Sequence, residues 1–462
     1  MTESTAIMWF RRDLRLADNP ALLAAADTGP VLPVFVLDPA LIRPSGSPRL
    51  ALLYRTLRAL DAQLSERGSA LTVLRGDPTV EIPRLATDIG VASVHIAADY
   101  GPYGAARDSD TERRLAERGI PLVQTGSPYA VAPGRIRNGS GNPYRVFTPF
   151  YRAWRRHGWR RPAPEPGAAT RWVTHGTAAI PQEAALCAES LDLPGAGEAT
   201  ARSAWNEFLA HHLRGYGGHR NQPALDATSH LSVHLKFGTI HPRTVLADLG
   251  PGDDAFARQI AWREFYAAVL HFWPDSAREY FQPAMAHLPY ATGAAADRDF
   301  AAWCAGQTGY PLVDAGMRQL AATGWMHNRV RMVTASFLVK DLHIEWTRGA
   351  RYFMRTLVDA DLANNQHGWQ WVAGCGTDAA PYHRILNPVT QSKRFDPDGA
   401  YIRRWVPELA ALPAAGIHEP WTRAGGPPAG YPDPIVDHAA ERARALRDYH
   451  DAQSTELGKT DA

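Results

Sequence analysis

Within residues 325–342, Asn328, Arg331, Met332 and Ala335 stand at i, i+3, i+4 and i+7, so a helix would bring them to one face. An amide and a guanidinium beside Met and Ala on a buried face need partners, since an unpaired buried polar group costs about 1–3 kcal/mol. Asp359 and Asp361, in the Asp-Ala-Asp turn after the next helical pattern, are candidate countercharges. Two readings stay open at this point: a purely structural hydrogen-bond network, or a polar network beside a ligand. Farther on, Asn364-Asn365-Gln366-His367-Gly368 reads as a polar loop leading into Trp369-Gln370-Trp371. Together with Trp262, Trp303, Trp325 and Trp346 it gives this half of the chain a heavy indole load. Indoles fill cores well, but they also make stacking platforms for flipped bases or a relay of oxidisable rings. Machinery for hydrolysis is missing: there is no nucleophile elbow, Ser-His-Asp set or purposeful carboxylate pair. The 18 histidines show no metal-ligand spacing, and neither Cys-x-x-Cys nor His-Glu-x-x-His occurs, so no metal is expected. The chemistry therefore points to a bound cofactor.

The elements that must position these residues fall into two patterns. Residues 6–125 alternate short β-branched runs (7–10, 31–37, 71–74, 93–97 and 122–124) with amphipathic stretches (19–27, 49–67, 78–89 and 103–118), which predicts a doubly wound, five-stranded parallel sheet. Its strand-to-helix turns carry Arg11-Arg12-Asp13, Asp38-Pro39, Gly76-Asp77-Pro78 and Asp99-Tyr100-Gly101, where such sheets place ligands. No Gly-x-Gly-x-x-Gly or phosphate loop follows the first strand, so this is no standard dinucleotide or ATP binder. A connector rich in Gly, Pro, Ala and Arg follows. From about residue 199 helical patterns dominate, at 199–213, 241–248, 254–271, 297–304, 314–322, 325–343, 349–358 and 436–452. The expected division is an α/β domain at 1–130, a connector at 131–198, a large all-α domain at 199–452 and a polar tail at 453–462.

The chain has 462 residues, 45% of them hydrophobic and 21% charged, an ordinary globular balance. No apolar run approaches the roughly 18 residues of a membrane span. Met1-Thr2-Glu3-Ser4-Thr5 lacks a basic, then apolar, leader, so no secretory signal is expected. Three distant cysteines (Cys187, Cys304 and Cys375) suit a reducing cytoplasm. With a net charge of only +2, any contact with nucleic acid must come from a local patch. Residues 131–171 hold nine arginines against Glu165, interleaved with Tyr144, Phe147, Phe150, Tyr151, Trp154 and Trp159. That pattern reads as a DNA-binding stretch or, more plainly, as a connector pinned by its aromatics with its arginines in solvent. Residues 314–355, with seven basic and three acidic residues, and the expected loop 384–404, with five and two, are the better candidates.

Seven segments in order and register resemble the photolyase/cryptochrome family, over residues 6 to about 410. They are Trp9-Phe10-Arg11-Arg12-Asp13-Leu14-Arg15, residues 228–238, Trp262-Arg263-Glu264-Phe265-Tyr266, Thr308-Gly309-Tyr310-Pro311, residues 324–332, residues 359–371 and residues 376–382. The pattern is most similar to class I cyclobutane pyrimidine dimer photolyases with a deazaflavin-type antenna. The resemblance implies that FAD sits folded in the helical domain and is reduced in the active form. Tyr216, Arg220, Thr228, Ser229, His230, Leu231 and Ser232 match positions that hold the diphosphate or line its site, and Arg263 is carried over with them. Hydroxyls and backbone N–H groups suit phosphate oxygens. Arg331 and Asp359 match an ion pair beside the flavin ring, flanked by Ala360 and Asp361, and Asn365 matches the side chain facing its N5. Trp369 and Trp346 match the first two members of an electron relay. The resemblance also implies UV-damaged DNA, single- or double-stranded, as partner. Trp262 and Trp371 match the walls that receive a flipped dimer, Asn328 and Met332 the lesion pocket, and Arg329 and Gln391 contacts to the strand. A cytoplasmic monomer acting on cyclobutane dimers by light-driven electron transfer is the reading, with a cryptochrome-like blue-light receptor or a (6-4) photolyase as alternatives.

Two departures bear on this, at Gln259 and Gly293. Gln259 stands where cyclobutane-dimer enzymes usually carry a glutamate, which predicts lower repair efficiency. The surface member of the relay aligns with Gly293, leaving Tyr290 or Trp303 to substitute. (6-4) enzymes carry paired histidines where this chain has His327 alone. In the sheet domain, Gly104 replaces the glutamate of folate binders, and Arg49, Asp99 and Lys236 resemble sites for 8-hydroxy-5-deazaflavin; an empty or FMN-filled site stays open.

Overall fold

The computed structural model describes residues 5–176, 178–182, 186, 191–377 and 384–460. Cys187 and residues 378–382 of the last family-like segment lie outside them. The chain divides into two compact units, Met1–Arg214 with Ser229–Pro274, and Gly215–Thr228 with Asp275–Ala462.

The first unit is built on the expected sheet. Strands β1 (Ala6–Phe10), β2 (Val31–Leu37), β3 (Thr72–Arg75), β4 (Ser93–Ile96) and β5 (Leu122–Gln124) lie in the order β3-β2-β1-β4-β5, all parallel. β1 and β2 are buried along their whole length, as parallel strands covered on both faces must be. The order reverses between β1 and β4, and the turns after those two strands, with Pro128, line a small pocket bounded by Arg11, Arg12, Asp13, Ala97, Ala98 and Asp99. The connector is more structured than expected. It holds a helix, Phe147–His157, whose buried face is Phe147, Phe150, Tyr151 and Trp154, while Arg152, Arg155 and Arg156 are exposed. Its aromatic spacing of i, i+3, i+4 and i+7 is the stripe of an amphipathic helix.

The second unit is helical. Its core gathers Trp303, Met317, Val330, Phe337, Trp346, Phe353 and Trp369 from five successive helices. Two expectations are corrected here. The polar run 364–368 is no loop: Leu362–Ala373 is one helix, started by Asp361, which accepts from the Asn364 backbone N–H at 3.1 Å, and stopped by Gly374 in the left-handed region. The caps outweighed the polarity between them. The expected loop 384–404 contains the helices Pro388–Phe395 and Ala400–Trp405, the first capped by Asn387 and opened by a proline. The last helix runs His438–Thr460, beyond the expected end at 452. Among the described residues no helix is long and apolar enough to cross a membrane.

Candidate functional site

In the second unit the polar stripe seen in the sequence finds its partner. His327 caps the helix Asn328–Lys340 through Nδ1, which accepts from the Arg329 N–H at 3.2 Å. One turn in, Arg331 donates from Nη1 to Asp359 Oδ1 at 3.1 Å, from Nη2 to Oδ2 at 2.8 Å, and from Nε to the Met326 carbonyl at 2.7 Å. The turn that carries Asp359 is tied by the Val358 N–H donating to the Gly324 carbonyl at 2.9 Å. The pair is asymmetric: the Asp359 side chain is 2% exposed and that of Arg331 24%. The fork therefore keeps a cationic edge available, and this donor set fits the electron-rich carbonyl edge of an anionic flavin ring. Ala360 is buried. Asp361 caps the next helix and accepts from Asn364 Nδ2 at 2.8 Å. On that helix Asn365 donates from Nδ2 to the Ala350 carbonyl at 3.1 Å and to Gln366 Oε1 at 2.9 Å, which fixes the orientation of the amide.

Trp369 comes from the same helix and Trp346 opens the helix Trp346–Thr356; both are buried, and neither indole N–H has a hydrogen-bond acceptor among the described residues. Gly349 is what lets Trp369 lie against that helix: a Cβ there would stand 2.1 Å from the indole Cη2. Two chains of rings branch outward. Trp369 meets Trp303 edge-on at 6.2 Å, and Trp303 meets Tyr352 at 5.6 Å. Trp346 meets Tyr280 edge-on at 5.8 Å, and Tyr280 lies 6.4 Å from Tyr290. Gly293 stands at the start of the helix Gly293–Ala305 and carries no ring.

Arg329 donates to Asn221 Oδ1 from Nη2 at 2.9 Å and from Nε at 3.2 Å, and lies over the Phe395 ring at 4.5 Å. Burial, together with the neighbouring Arg220, Arg394 and Arg384, pushes its pKa down. Four guanidiniums in one field, two of them (Arg384 and Arg394) exposed, make a patch that needs anions. Gln391 lies on the helix Pro388–Phe395 beside this patch, and Asn328 is exposed at the start of its own helix; Met332 and Trp371 are half-buried. Tyr216 and Arg220 lie at the helix Tyr216–His219, where the Arg220 guanidinium is 6.0 Å from the tyrosine ring, and Thr228 is half-buried.

The first unit holds the remaining predicted residues. His230, at φ 51°, precedes the helix Leu231–Phe237; Ser229 Oγ accepts from the Leu231 N–H at 3.4 Å, Leu231 is buried and Ser232 exposed. Arg263 is buried and donates to the Pro128 and Leu235 carbonyls at 3.0 and 3.1 Å, so it braces that helix. Gln259 Nε2 donates back to the Ala255 carbonyl at 3.2 Å. Trp262 is stacked on Phe147 at 3.7 Å with the planes 6° apart. Sequence reasoning placed Phe147 in an aromatic stripe but missed its stacking on Trp262. At the sheet pocket, burial alone would raise the pKa of Asp99, but Arg12 and Arg107 outweigh it and hold the carboxyl below its ordinary range. A Cβ at Gly104 would stand 2.2 Å from Asp99 Oδ2, so no side chain fits there while Asp99 keeps this position. Arg49 is buried and bonded to Ser45 Oγ at 2.9 Å, and Lys236 is half-buried near the end of Leu231–Phe237.

Comparison with known proteins shows the family of the chain. Residues 6–167 match the family described as DNA photolyase, and residues 256–451 match the FAD binding domain of DNA photolyase. A deoxyribodipyrimidine photo-lyase of Streptomyces griseus is 45% identical, with 96% of this chain and 99% of that protein aligned. That of Escherichia coli is 37% identical over 97% and 99%. Among solved structures, a class III photolyase from Agrobacterium tumefaciens superposes with a TM-score of 0.90 at 36% identity, covering 98% of each chain. An archaeal photolyase from Sulfolobus tokodaii, solved with two FAD molecules, gives 0.87 at 30% identity over 97% and 100%.

Proposed function

Since this chain belongs to the DNA photolyase family and is a light-driven DNA-repair enzyme that binds FAD, we propose that its lesion is the cyclobutane pyrimidine dimer. The observation that carries the proposal is the Arg331–Asp359 pair, a partly exposed guanidinium fork over a buried carboxylate. Bound reduced FAD supplies, on absorbing blue light, the electron that opens the cyclobutane ring and receives it back. The protein's part is to favour and orient. Arg331 favours negative charge on the ring. Asn365 is an amide locked by Ala350 and Gln366, and it offers no acidic proton as a carboxylic acid would. The residues assigned to diphosphate are Tyr216, Arg220, Thr228, Ser229, His230, Leu231 and Ser232, with Arg263 as a brace. Trp262, backed by Phe147, and Trp371 flank the dimer, while Asn328, Met332 and Gln259 contact its bases. Arg329 and Gln391 hold the strand by its phosphates, on single- or double-stranded DNA. Trp346 and Trp369 pass electrons to the oxidised cofactor. Arg49, Asp99 and Lys236 would hold 8-hydroxy-5-deazaflavin as antenna, a reading supported by Gly104 and the Asp99 arginine pairs. The enzyme works as a cytoplasmic monomer.

Gln259 favours a second reading, a cryptochrome-like receptor, because it brings no charge to the lesion. The test is to illuminate the chemically reduced protein with oligonucleotides carrying either a thymine cyclobutane dimer or a (6-4) photoproduct, and to count restored thymines by chromatography against dark controls. Light-dependent loss of the cyclobutane lesion alone is the expected result. Repair of neither, with flavin bound and reduced, supports the receptor instead, and repair of the (6-4) lesion alone overturns the choice of substrate.

A further inference from the structure

A relay of indoles needs a final donor that solvent reductants can reach. Gly293 leaves none at the position where the family pattern puts it. Two branches of rings leave the buried pair, and the oxidation chemistry of tyrosine distinguishes them. A phenol that loses an electron becomes a very strong acid, so its oxidation is downhill only where a positioned base takes the proton. Tyr352, at the end of the Trp303 branch, donates its hydroxyl to the Cys304 peptide carbonyl at 3.4 Å, and Tyr290 donates to the Met285 carbonyl at 3.2 Å. A peptide carbonyl accepts a hydrogen bond but does not keep a proton. Tyr280 differs: its hydroxyl donates to Glu345 Oε1 at 3.0 Å, and Glu345 precedes Trp346, whose ring Tyr280 meets edge-on at 5.8 Å. Thr347 Oγ1 donates to the other carboxylate oxygen at 2.8 Å, which orients the base toward the phenol. Tyr280 and Glu345 are both half-buried, so solvent reaches them while Trp346 stays dry.

We infer that Tyr280 is the terminal electron donor of the photoreduction relay, and that Glu345 is the base that takes its proton. This rests on the proposed FAD-dependent function. The balance is simple. Light-driven oxidation of Trp369 by the bound oxidised flavin leaves a hole that passes to Trp346. Tyr280 fills it with one electron and gives its O–H proton to Glu345. Both indoles end neutral and intact, the flavin has gained one electron, Glu345 is protonated and Tyr280 is a neutral phenoxyl radical. A thiol in solvent returns a hydrogen atom to Tyr280 and is itself oxidised.

The test is electron paramagnetic resonance and transient absorption of the flavin-loaded protein under blue light, without added thiol. Four forms are compared, wild type, Tyr280→Phe, Glu345→Gln and Tyr352→Phe, with near-ultraviolet circular dichroism as the check on folding. Wild type is expected to show a neutral tyrosyl radical whose hyperfine pattern narrows when tyrosine is ring-deuterated. Tyr280→Phe should lose it and leave a tryptophanyl radical that recombines at least about tenfold faster. Glu345→Gln keeps the hydrogen bond but removes the base, so tyrosyl formation should slow by roughly tenfold or more. Tyr352→Phe should behave as wild type. A tyrosyl signal that persists in Tyr280→Phe, or vanishes in Tyr352→Phe, overturns the assignment. A wild-type protein showing only a tryptophanyl radical also defeats it while leaving the relay and the repair function standing. Failure of the wild type to reduce bound FAD in light overturns this inference alone, whereas failure to bind FAD refutes the proposed function and this inference with it.

Discussion

Replacing Gly349 with alanine should destabilise the protein, against the usual sign for glycine in a helix. At an ordinary helical position, Gly→Ala stabilises by about 0.4–1 kcal/mol, because alanine restricts the unfolded chain more. Gly349 lies inside the helix Trp346–Thr356, but its added Cβ would stand 2.1 Å from Trp369 Cη2, 2.6 Å from Trp369 Cζ3 and 2.6 Å from Leu338 Cδ2. The indole is rigid and packed against Trp303 and Phe353, so it has little room to retreat. Overpacking of this kind costs about 1–3 kcal/mol, which exceeds the propensity gain and leaves a net loss of about 1–2 kcal/mol. Gly368, within the helix Leu362–Ala373, provides the control, since its added Cβ would meet nothing within 4 Å. Gly368→Ala should therefore raise stability by about 0.4–1 kcal/mol. The assay is urea unfolding followed by tryptophan fluorescence, comparing transition midpoints at a common slope. A Gly349→Ala protein as stable as wild type would falsify the claim that this glycine is set by the position of Trp369.

Glu264 gives a pH-dependent prediction. Burial pushes its carboxyl from 4.5 up to about 7, despite donors from Trp154 Nε1 at 2.6 Å, Val131 N at 3.0 Å and Ala130 N. The folded protein thus holds a proton that the unfolded chain releases, so this stabilisation is complete below about pH 4.5 and is lost as pH rises through about 7, amounting to up to about 3 kcal/mol. Glu264→Gln should flatten the stability profile over that window, and an unchanged profile from pH 4.5 to 7 contradicts the assignment. Arg331→Met leaves Asp359 charged, buried and unpaired, which should cost on the order of 3 kcal/mol and lower the flavin content of the purified protein; full flavin retention argues against a role in binding. Arg329→Ala should weaken DNA binding in a sequence-independent way and reduce the slope of log affinity against log salt by about 1, and an unchanged slope removes Arg329 from the phosphate contacts. Gln259→Glu should raise the quantum yield of dimer repair, and no increase would show that charge at this position is dispensable.

The division of labour between sequence and tertiary structure follows from the range of the forces involved. Strand and helix periodicity is local, and the five strands were readable to within a residue or two, as with 71–74 against Thr72–Arg75. The same locality misread residues 364–368, where polarity suggested a loop although Asp361 and Gly374 were in place to cap a helix. The stripe of Asn328, Arg331 and Met332 was legible too, but not whether Asp359 or Asp361 would meet the arginine. That choice depends on where the turn after Trp346–Thr356 is anchored, through Val358 and Gly324. Pairings between residues far apart in the chain carried no sequence signal: Phe147 on Trp262, Tyr280 with Glu345, and Arg220, Arg329, Arg384 and Arg394 in one field. Each depends on helices that pack through apolar faces which do not specify their polar neighbours. Residue types determined which chemistry the chain can support, because indoles, guanidiniums and amides have fixed donors, charges and ease of oxidation. Only the packed helices decided which indole touches a phenol with a carboxylate behind it, because that depends on contacts a few ångströms long between segments some 65 residues apart.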